Sequence, residues 1–277
     1  MKFKIIVDSS SNLTSNYLKD EKDIGFAVAP LIVRINQVEY VDDDNVDVYK
    51  ILKEMNSTRE KATSSCPPPS EYHKQYSGAE YYFVYTISQK LSGSYNSAIV
   101  ARDMFDNNEN IFVLDSKLTS GAIELLVIKT VELIKKGLSF EQIKKEVTEY
   151  RDSLNLFFVL DKFDNLVKNG RMSKAVAFIA QLANIKPLCF GDDGEIKIKE
   201  KIRTIHGVLK RLVANIRVVC KNTSDRVLII SHTKCKETAE LLKTMIQENY
   251  DFKEIIISEN RGLCAFYSLE GGIICSF

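Results

Sequence analysis

The sequence predicts an α/β protein of two domains. The first, residues 1–154, has a mainly parallel sheet flanked by helices; the second, residues 155–277, is α+β with a mixed or antiparallel sheet. Three observations carry that expectation. The chain has 277 residues, more than the roughly 100 to 200 of an ordinary domain. In the first half apolar runs alternate with helical patterns, the βαβ logic of strands covered on both faces. In the second half Gly-Asp-Asp-Gly joins two strand-like runs as a hairpin, and the second run alternates Ile with Lys, which leaves one face in water.

The elements follow in order. Strands are predicted at Phe3 to Val7, Tyr81 to Ile87 and Ile111 to Leu114. Helices are predicted at Val46 to Met55, Ser94 to Phe105 and Thr119 to Lys136, the last stopped by Gly137. A further helix, Phe140 to Tyr150, opens after Ser139 with Glu141 and Gln142 in its first turn, as a capped N-terminus does. The second half begins with an apolar run, Leu156 to Leu160, followed by FDNLVKNGRMS and then AVAFIAQLAN, a segment apolar nearly all round. Such a helix either lies in a core or walls an apolar tunnel. After the hairpin the pattern gives a helix from Ile205 to Cys220, a strand at Val227 to Ile230 and a helix from Lys236 to Gln247. Strands at Glu254 to Ser258 and Gly272 to Phe277 close the chain.

Composition narrows the function. With 45% hydrophobic and 27% charged residues the chain is globular. Its net charge of +1, from 38 basic and 37 acidic residues, offers no footprint for a nucleic-acid partner. The N-terminus lacks the apolar stretch of a signal peptide and no run approaches a membrane-spanning length, so a cytoplasmic protein without stable membrane insertion is expected. The six cysteines form no C-x-x-C pair and only three histidines could join them as ligands. They are expected to be reduced core residues, with no metal.

Hydroxyls are concentrated where the first-half strands end: VDSSSNLT, ISQKLSGS and LDSKLTSG. In open α/β sheets ligands settle outside the carboxyl ends of strands, beside helix N-termini. Ser10, Ser92, Ser94 and Thr119 therefore either face a ligand crevice or cap the helices that follow. ATSSCPPPSEYHKQY adds a fourth cluster, with three prolines stiffening a loop that carries Thr63 and Ser64. No phosphate-binding loop, dinucleotide fingerprint, nucleophile elbow or H-E-x-x-H accompanies these clusters. Without a nearby His base, nucleophilic catalysis is disfavoured, and hydroxyls with backbone amides suit the holding of a carboxylate. No catalytic residue and no cofactor is assigned.

The order DSSSNL, ATSSCPPPSEY, ISQKLSGSYNSA, VLDSKLTSGAIELLV and LDKFDNLVKNGRMS resembles the DegV family of bacterial fatty-acid-binding proteins, over nearly the whole chain. The resemblance implies a DegV-like two-domain fold with one long-chain fatty acid between the domains. It also implies a role as the non-catalytic subunit that presents the acyl carboxylate to a separate fatty acid kinase. On that resemblance Thr63 and Ser92 contact the carboxylate, with Ser64, Gly93 and Ser94 beside them. Phe178, Ile179 and Leu182 of the apolar helix would wall the tunnel. Arg171 in GRMS and Arg203 after the hairpin would face the kinase.

One departure stands out. The family motif resembling T-H-T-G-P-G-A corresponds here to FYSLEGG, so Tyr267 takes the place of a carboxylate-binding His and Glu270 that of a Pro. A phenol donates a hydrogen bond but carries no positive charge. Two alternatives stay open: an apolar-ligand carrier with no kinase partner, for which Arg171 and Arg203 would be dispensable, and a phosphoryl-transfer enzyme, because the fold resembles domains of dihydroxyacetone kinases. The latter would need a phosphorylatable His or a metal-binding Asp cluster; Asp42, Asp43 and Asp44 form such a run, which also suits a solvated turn.

Overall fold

A computed structural model of the chain describes residues 1–58, 60–172 and 185–277. Its first sheet is parallel, with strands β1 (Phe3–Asp8), β2 (Ile24–Ala29), β6 (Tyr81–Thr86) and β7 (Ile111–Asp115) in the order β2-β1-β6-β7. Alternation sorts each strand's side chains between two faces. Ile6, Val84 and Val113 pack with Tyr72 of helix α2 (Pro69–His73) and Ala98 and Ala101 of α3 (Ser94–Asp103). Ile5, Val7, Phe83 and Tyr85 point the other way. They meet α4 (Gly121–Lys135) and α5 (Phe140–Ser153). Both faces are covered, which is why these strands are unbroken apolar runs.

The second large sheet is six-stranded and mixed. It contains β8 (Leu156–Val159), β9 (Lys186–Asp192), β10 (Glu195–Ile202), β11 (Val227–His232), β12 (Glu254–Glu259) and β13 (Ile273–Ser276), in the order β10-β9-β8-β13-β11-β12. Leu156 and Phe158 of β8 face the first sheet, whereas Phe157 and Val159 face Leu209 and Leu212 of a helix at Ile205–Val219 and Leu242 and Ile246 of one at Lys236–Gln247. Helix α4 is the layer between the sheets. Its Gly121 is pressed so closely on β11 that a Cβ there would stand 2.8 Å from Ile229 Cγ2, so only glycine fits. The expected architecture, a parallel sheet flanked by helices and a mixed sheet with the GDDG hairpin at its edge, is the one found. The expected cap on α5 is a capping box between Ser139 and Gln142.

Within residues 24–65 the predicted helix is found as α1 (Val48–Ser57), but the strands around it were missed: β2, and β3 (Ile32–Ile35), β4 (Val38–Val41) and β5 (Thr63–Ser65), the last three making a small antiparallel sheet in the order β4-β3-β5. β3, β4 and β5, of four, four and three residues, are too short for periodicity to show. The β3–β4 turn places Asn36 and Gln37 at φ 48° and 66°, a hairpin geometry normally announced by Asn-Gly. A helix at Gly262–Ser268 was missed as well. The predicted helix AVAFIAQLAN, with Phe178, Ile179 and Leu182, lies outside the described residues. All six cysteines are free thiols, four of them buried.

Candidate ligand cavity

A cavity of about 310 Å³ opens where the loops after β6 and β7, strand β5, the inner face of the mixed sheet and helix Gly262–Ser268 converge. Its volume lies at the low end of the range for small-molecule sites, about 300 to 1,000 Å³. Most of the wall is apolar: Leu31, Ile87, Leu118, Leu156, Phe158, Leu160, Leu166, Ile196, Leu263 and Ile274. Sheet alternation explains the contribution of β8, since Leu156 and Phe158 are the residues whose side chains leave the inner face.

Polar groups interrupt that wall. Ser64 of β5 lies with its Oγ 2.8 Å from the Tyr267 hydroxyl, and Ser92, Gly93, Thr119 and Ser268 line the same cavity. Ser92 lines the cavity and keeps a free donor. Its Oγ accepts from the Ser94 amide at 3.3 Å, and a hydroxyl that accepts one bond still has its own proton to donate.

Other expected hydroxyls are used inside the protein. Ser94 is fully buried; its Oγ donates to Asp8 Oδ2 at 2.6 Å and meets Tyr72 Oη at 2.6 Å. Asp8 also accepts from the Ser10 hydroxyl and from the Ile87 amide at 2.8 Å. Asp8 thereby fastens the end of β1 to the loop after β6. Burial raises its pKa above the ordinary carboxylate value, against the pull of those bonds. Ser9 accepts the Leu31 amide at 3.0 Å. Ser10 and Ser94, open between crevice and cap in the sequence, serve a structural carboxylate: Asp8 at the end of β1 must be satisfied where water is excluded, and these two hydroxyls satisfy it. Thr63, in β5, is half-buried beside Ser64 and does not belong to the cavity wall.

Helix Gly262–Ser268, which carries Tyr267, is held from the first half of the chain. The buried Asp42 carboxylate accepts the Leu263 amide at 2.9 Å. A Cβ on Gly262 would stand 2.2 Å from Asp42 Oδ1, so glycine is required there. Burial pushes the Asp42 carboxyl up to about 6, opposed by the Leu263 amide, the Ser9 hydroxyl and the Arg261 charge. Asn12 Nδ2 donates to Ser120 Oγ at 2.9 Å and to Asn260 Oδ1 at 3.0 Å, while Asn12 Oδ1 accepts the Arg261 amide at 2.9 Å. The helix ends at Leu269, whose φ of 54° and ψ of 178° lie in a region that favours glycine. The acidic run divides into local roles: Asp43 accepts the Asn45 amide and Asp44 the Ser15 amide, each at 2.9 Å. Among the described residues no group of three or more His, Cys, Asp or Glu could hold a metal ion.

Arg171 lies on the cavity wall. Its Nε donates to the Leu91 carbonyl at 2.9 Å and its Nη1 to the Asn169 carbonyl, which ties Arg171 and the turn at Asn169 to the residue before Ser92. Arg203 is exposed after β10 and is not brought to the cavity, and Glu270 is exposed beyond its edge. Thr119 and Ser268 join the polar wall, and Cys66 and Cys264 the lining, without having been predicted as site residues. Thr119 was flagged only as a hydroxyl at a strand end; nothing in the local sequence of Cys66, Cys264 or Ser268 marks a pocket. Among the described residues no helix is long and apolar enough to cross a membrane.

A model of the DegV family, described as uncharacterised proteins, matches residues 2–274. A DegV domain-containing protein of Streptococcus gordonii is 34% identical, the match covering 100% of this chain and 99% of that protein. The Streptococcus pneumoniae fatty acid kinase B3 protein, in a crystal structure loaded with linoleic acid, superposes with a TM-score of 0.92 at 30% identity, covering 100% and 99% of the two chains. A DegV-family protein of Ruminococcus gnavus, refined with vaccenic acid, gives 0.91 at 30% identity over the same shares.

Proposed function

The chain belongs to the DegV family, and we propose that it binds a long-chain fatty acid in the cavity between its two sheets and presents the carboxylate to a separate fatty acid kinase. The observation that carries this reading is a mostly apolar cavity whose wall holds the paired hydroxyls of Ser64 and Tyr267, with Ser92, Gly93 and Thr119 also in the lining. A carboxylate buried without partners costs several kcal/mol; hydroxyl donors offset that cost, and Lys117 and Arg171 on the same wall bring positive charge. Apolar walls take the tail, at roughly 0.8 kcal/mol per buried CH₂. Fatty acids in the two relatives at 30% identity support the ligand class, and the name of the pneumococcal relative supports the kinase. The protein then acts as a binding subunit rather than as the catalyst, in the cytoplasm where such a kinase has its ATP. On this reading residues 1–154 form the domain that supplies Ser64 and Ser92, and residues 155–277 the domain that supplies Tyr267 and the partner-facing Arg171 and Arg203.

Mass spectrometry under native conditions, followed by extraction of the bound lipid, tests the ligand. One acyl chain per polypeptide is expected, with added fatty acid raising the melting temperature. Repeated recovery of empty protein that gains no stability from fatty acids would overturn the reading.

A further inference from the structure

The tip of the β9–β10 hairpin reaches from the mixed sheet to the loops after β6 and β7. Asp193, at the tip, accepts from Lys117 Nζ at 2.9 Å and from Lys90 Nζ at 3.2 Å, one lysine from each loop. Beside it the fully buried Ser88 donates its Oγ to the Gly194 carbonyl at 2.8 Å. Both glycines of the tip lie flush on those loops: a Cβ would stand 2.6 Å from Ser88 Oγ at Gly194, and 2.6 Å from Leu118 Cδ2 at Gly191. Gly191, Gly194 and Ile196 from the hairpin and Leu91, Lys117 and Leu118 from the loops all line the cavity. The hairpin contact is therefore a seam of the cavity.

We propose that the hairpin tip is a clasp that gates this cavity, closed by Asp193 on Lys90 and Lys117 and by Ser88 on the Gly194 carbonyl. Its mechanics follow from the sheet. β10 is an edge strand, and β8 pairs with β9 only from Leu188 to Phe190, so the turn from Gly191 onward projects past its neighbour. A bulge between Ile198 and Glu200 interrupts the register behind the tip and supplies a bend. Hydrogen bonds from Lys117 and Lys90 hold the Asp193 carboxyl down at about 2, so it stays charged at neutral pH. Both pairs are exposed, with Asp193 65% accessible. Such pairs are individually weak and screened by salt, so the clasp opens without unfolding the sheet, and faster as salt rises.

This rests on the fatty acid reading, and the test separates the two. Stopped-flow fluorescence with cis-parinaric acid, a fluorescent fatty acid, is run on the full chain, Asp193→Asn and Asp193→Lys at low and high salt. Dissociation should quicken about threefold in Asn and about tenfold in Lys. Entry quickens with it, because a gate serves both directions, so Kd changes less than the off-rate. Salt should speed the wild type but not Asp193→Asn. Hydrogen exchange without ligand is followed in parallel at the Ser88–Ser92 amides, with the β11 amides reporting whether the fold is intact. Wild-type rates in both variants, with unchanged exchange at Ser88–Ser92, would overturn the clasp. If parinaric acid fails to bind even the wild type, the fatty acid reading falls; faster exchange at Ser88–Ser92 alone then still upholds the clasp, and unchanged exchange removes it.

Discussion

The hydroxyls of Ser64 and Tyr267 lie 2.8 Å apart across 203 residues of sequence, joining strand β5 to the helix that precedes the last strand. Either oxygen can donate, so a ligand oxygen arriving at the pair can take one proton while the other keeps the two residues together. Tyr267→Phe removes a donor from the proposed carboxylate site and should weaken fatty acid binding by about 1 kcal/mol, roughly fivefold. Ser64→Ala should do likewise, whereas Thr63→Ala, off the cavity wall, should bind as the wild type does. Titration calorimetry checks all three; unchanged affinity in both Tyr267→Phe and Ser64→Ala would remove the pair from the site.

The same substitution pattern tests pH. A phenol carries no positive charge, whereas an imidazole gains one as pH falls. Wild-type affinity should be flat between about pH 5.5 and 7.5 apart from the ligand's own titration. Tyr267→His should bind more tightly as pH falls, because the cation forms beside a carboxylate. Equal pH profiles would show that residue 267 does not reach the head group.

Ser92 and Ser94 stand two residues apart in one turn and have separable roles. Ser94→Ala strips a buried carboxylate of one of its donors, so it should lower stability by about 1 to 3 kcal/mol in denaturant unfolding. Ser92→Ala should leave the melting temperature nearly unchanged and weaken ligand binding instead. The opposite assignment of effects would exchange their roles.

That contrast marks how far the sequence could be read. Clusters of Ser and Thr after β1, β6 and β7 locate the sheet end, because short hydroxyl residues are chosen both for caps and for crevices. Which hydroxyl does which depends on Asp8, a carboxylate at a strand end whose demand for donors is visible only when Ser10, Ser94 and the Ile87 amide are seen around it. The long strands and amphipathic helices were legible from periodicity. Helix Gly262–Ser268 was not: its seven residues are too few to establish a period, and it is fixed from a distance by Asp42 and Asn12. Tyr267 was found through a motif, and its partner Ser64 through a stiff loop, yet no sequence pattern pairs them.

Glu124 on α4 is buried between the two sheets and accepts a hydrogen bond from Tyr17 Oη at 3.0 Å. Burial pushes its carboxyl up to about 7, opposed by the Tyr17 hydroxyl and reinforced by the Glu254 charge. The folded protein thus holds this proton more tightly than the unfolded chain. Its stabilising effect is complete below the ordinary value of 4.5 and is lost as pH rises through about 7. The gap corresponds to about 3 kcal/mol at most. Glu124→Gln keeps an acceptor for Tyr17 without the charge, so the variant should gain on the wild type between pH 5 and 8. Parallel unfolding curves at the two pH values, with a constant difference, would refute this.

Arg171 was expected only to face the partner, and its place on the cavity wall changes what its loss should do. The guanidinium bridges the carbonyls of Leu91 and Asn169, so it sets the position of the loop that begins with Ser92 as well as bringing positive charge to the cavity. Arg171→Ala should therefore weaken fatty acid binding several-fold through the displaced Ser92 loop, and reduce acyl phosphate formation by the kinase further still, because a guanidinium can meet phosphate oxygens in pairs. Arg171→Lys restores the charge but not the fork that spans two carbonyls, so it should recover little of either property. The measurement is phosphorylation at saturating fatty acid, where weakened binding no longer limits the rate. A normal rate for Arg171→Ala under that condition would confine the residue to the cavity and leave the partner role to other groups, Arg203 first among them.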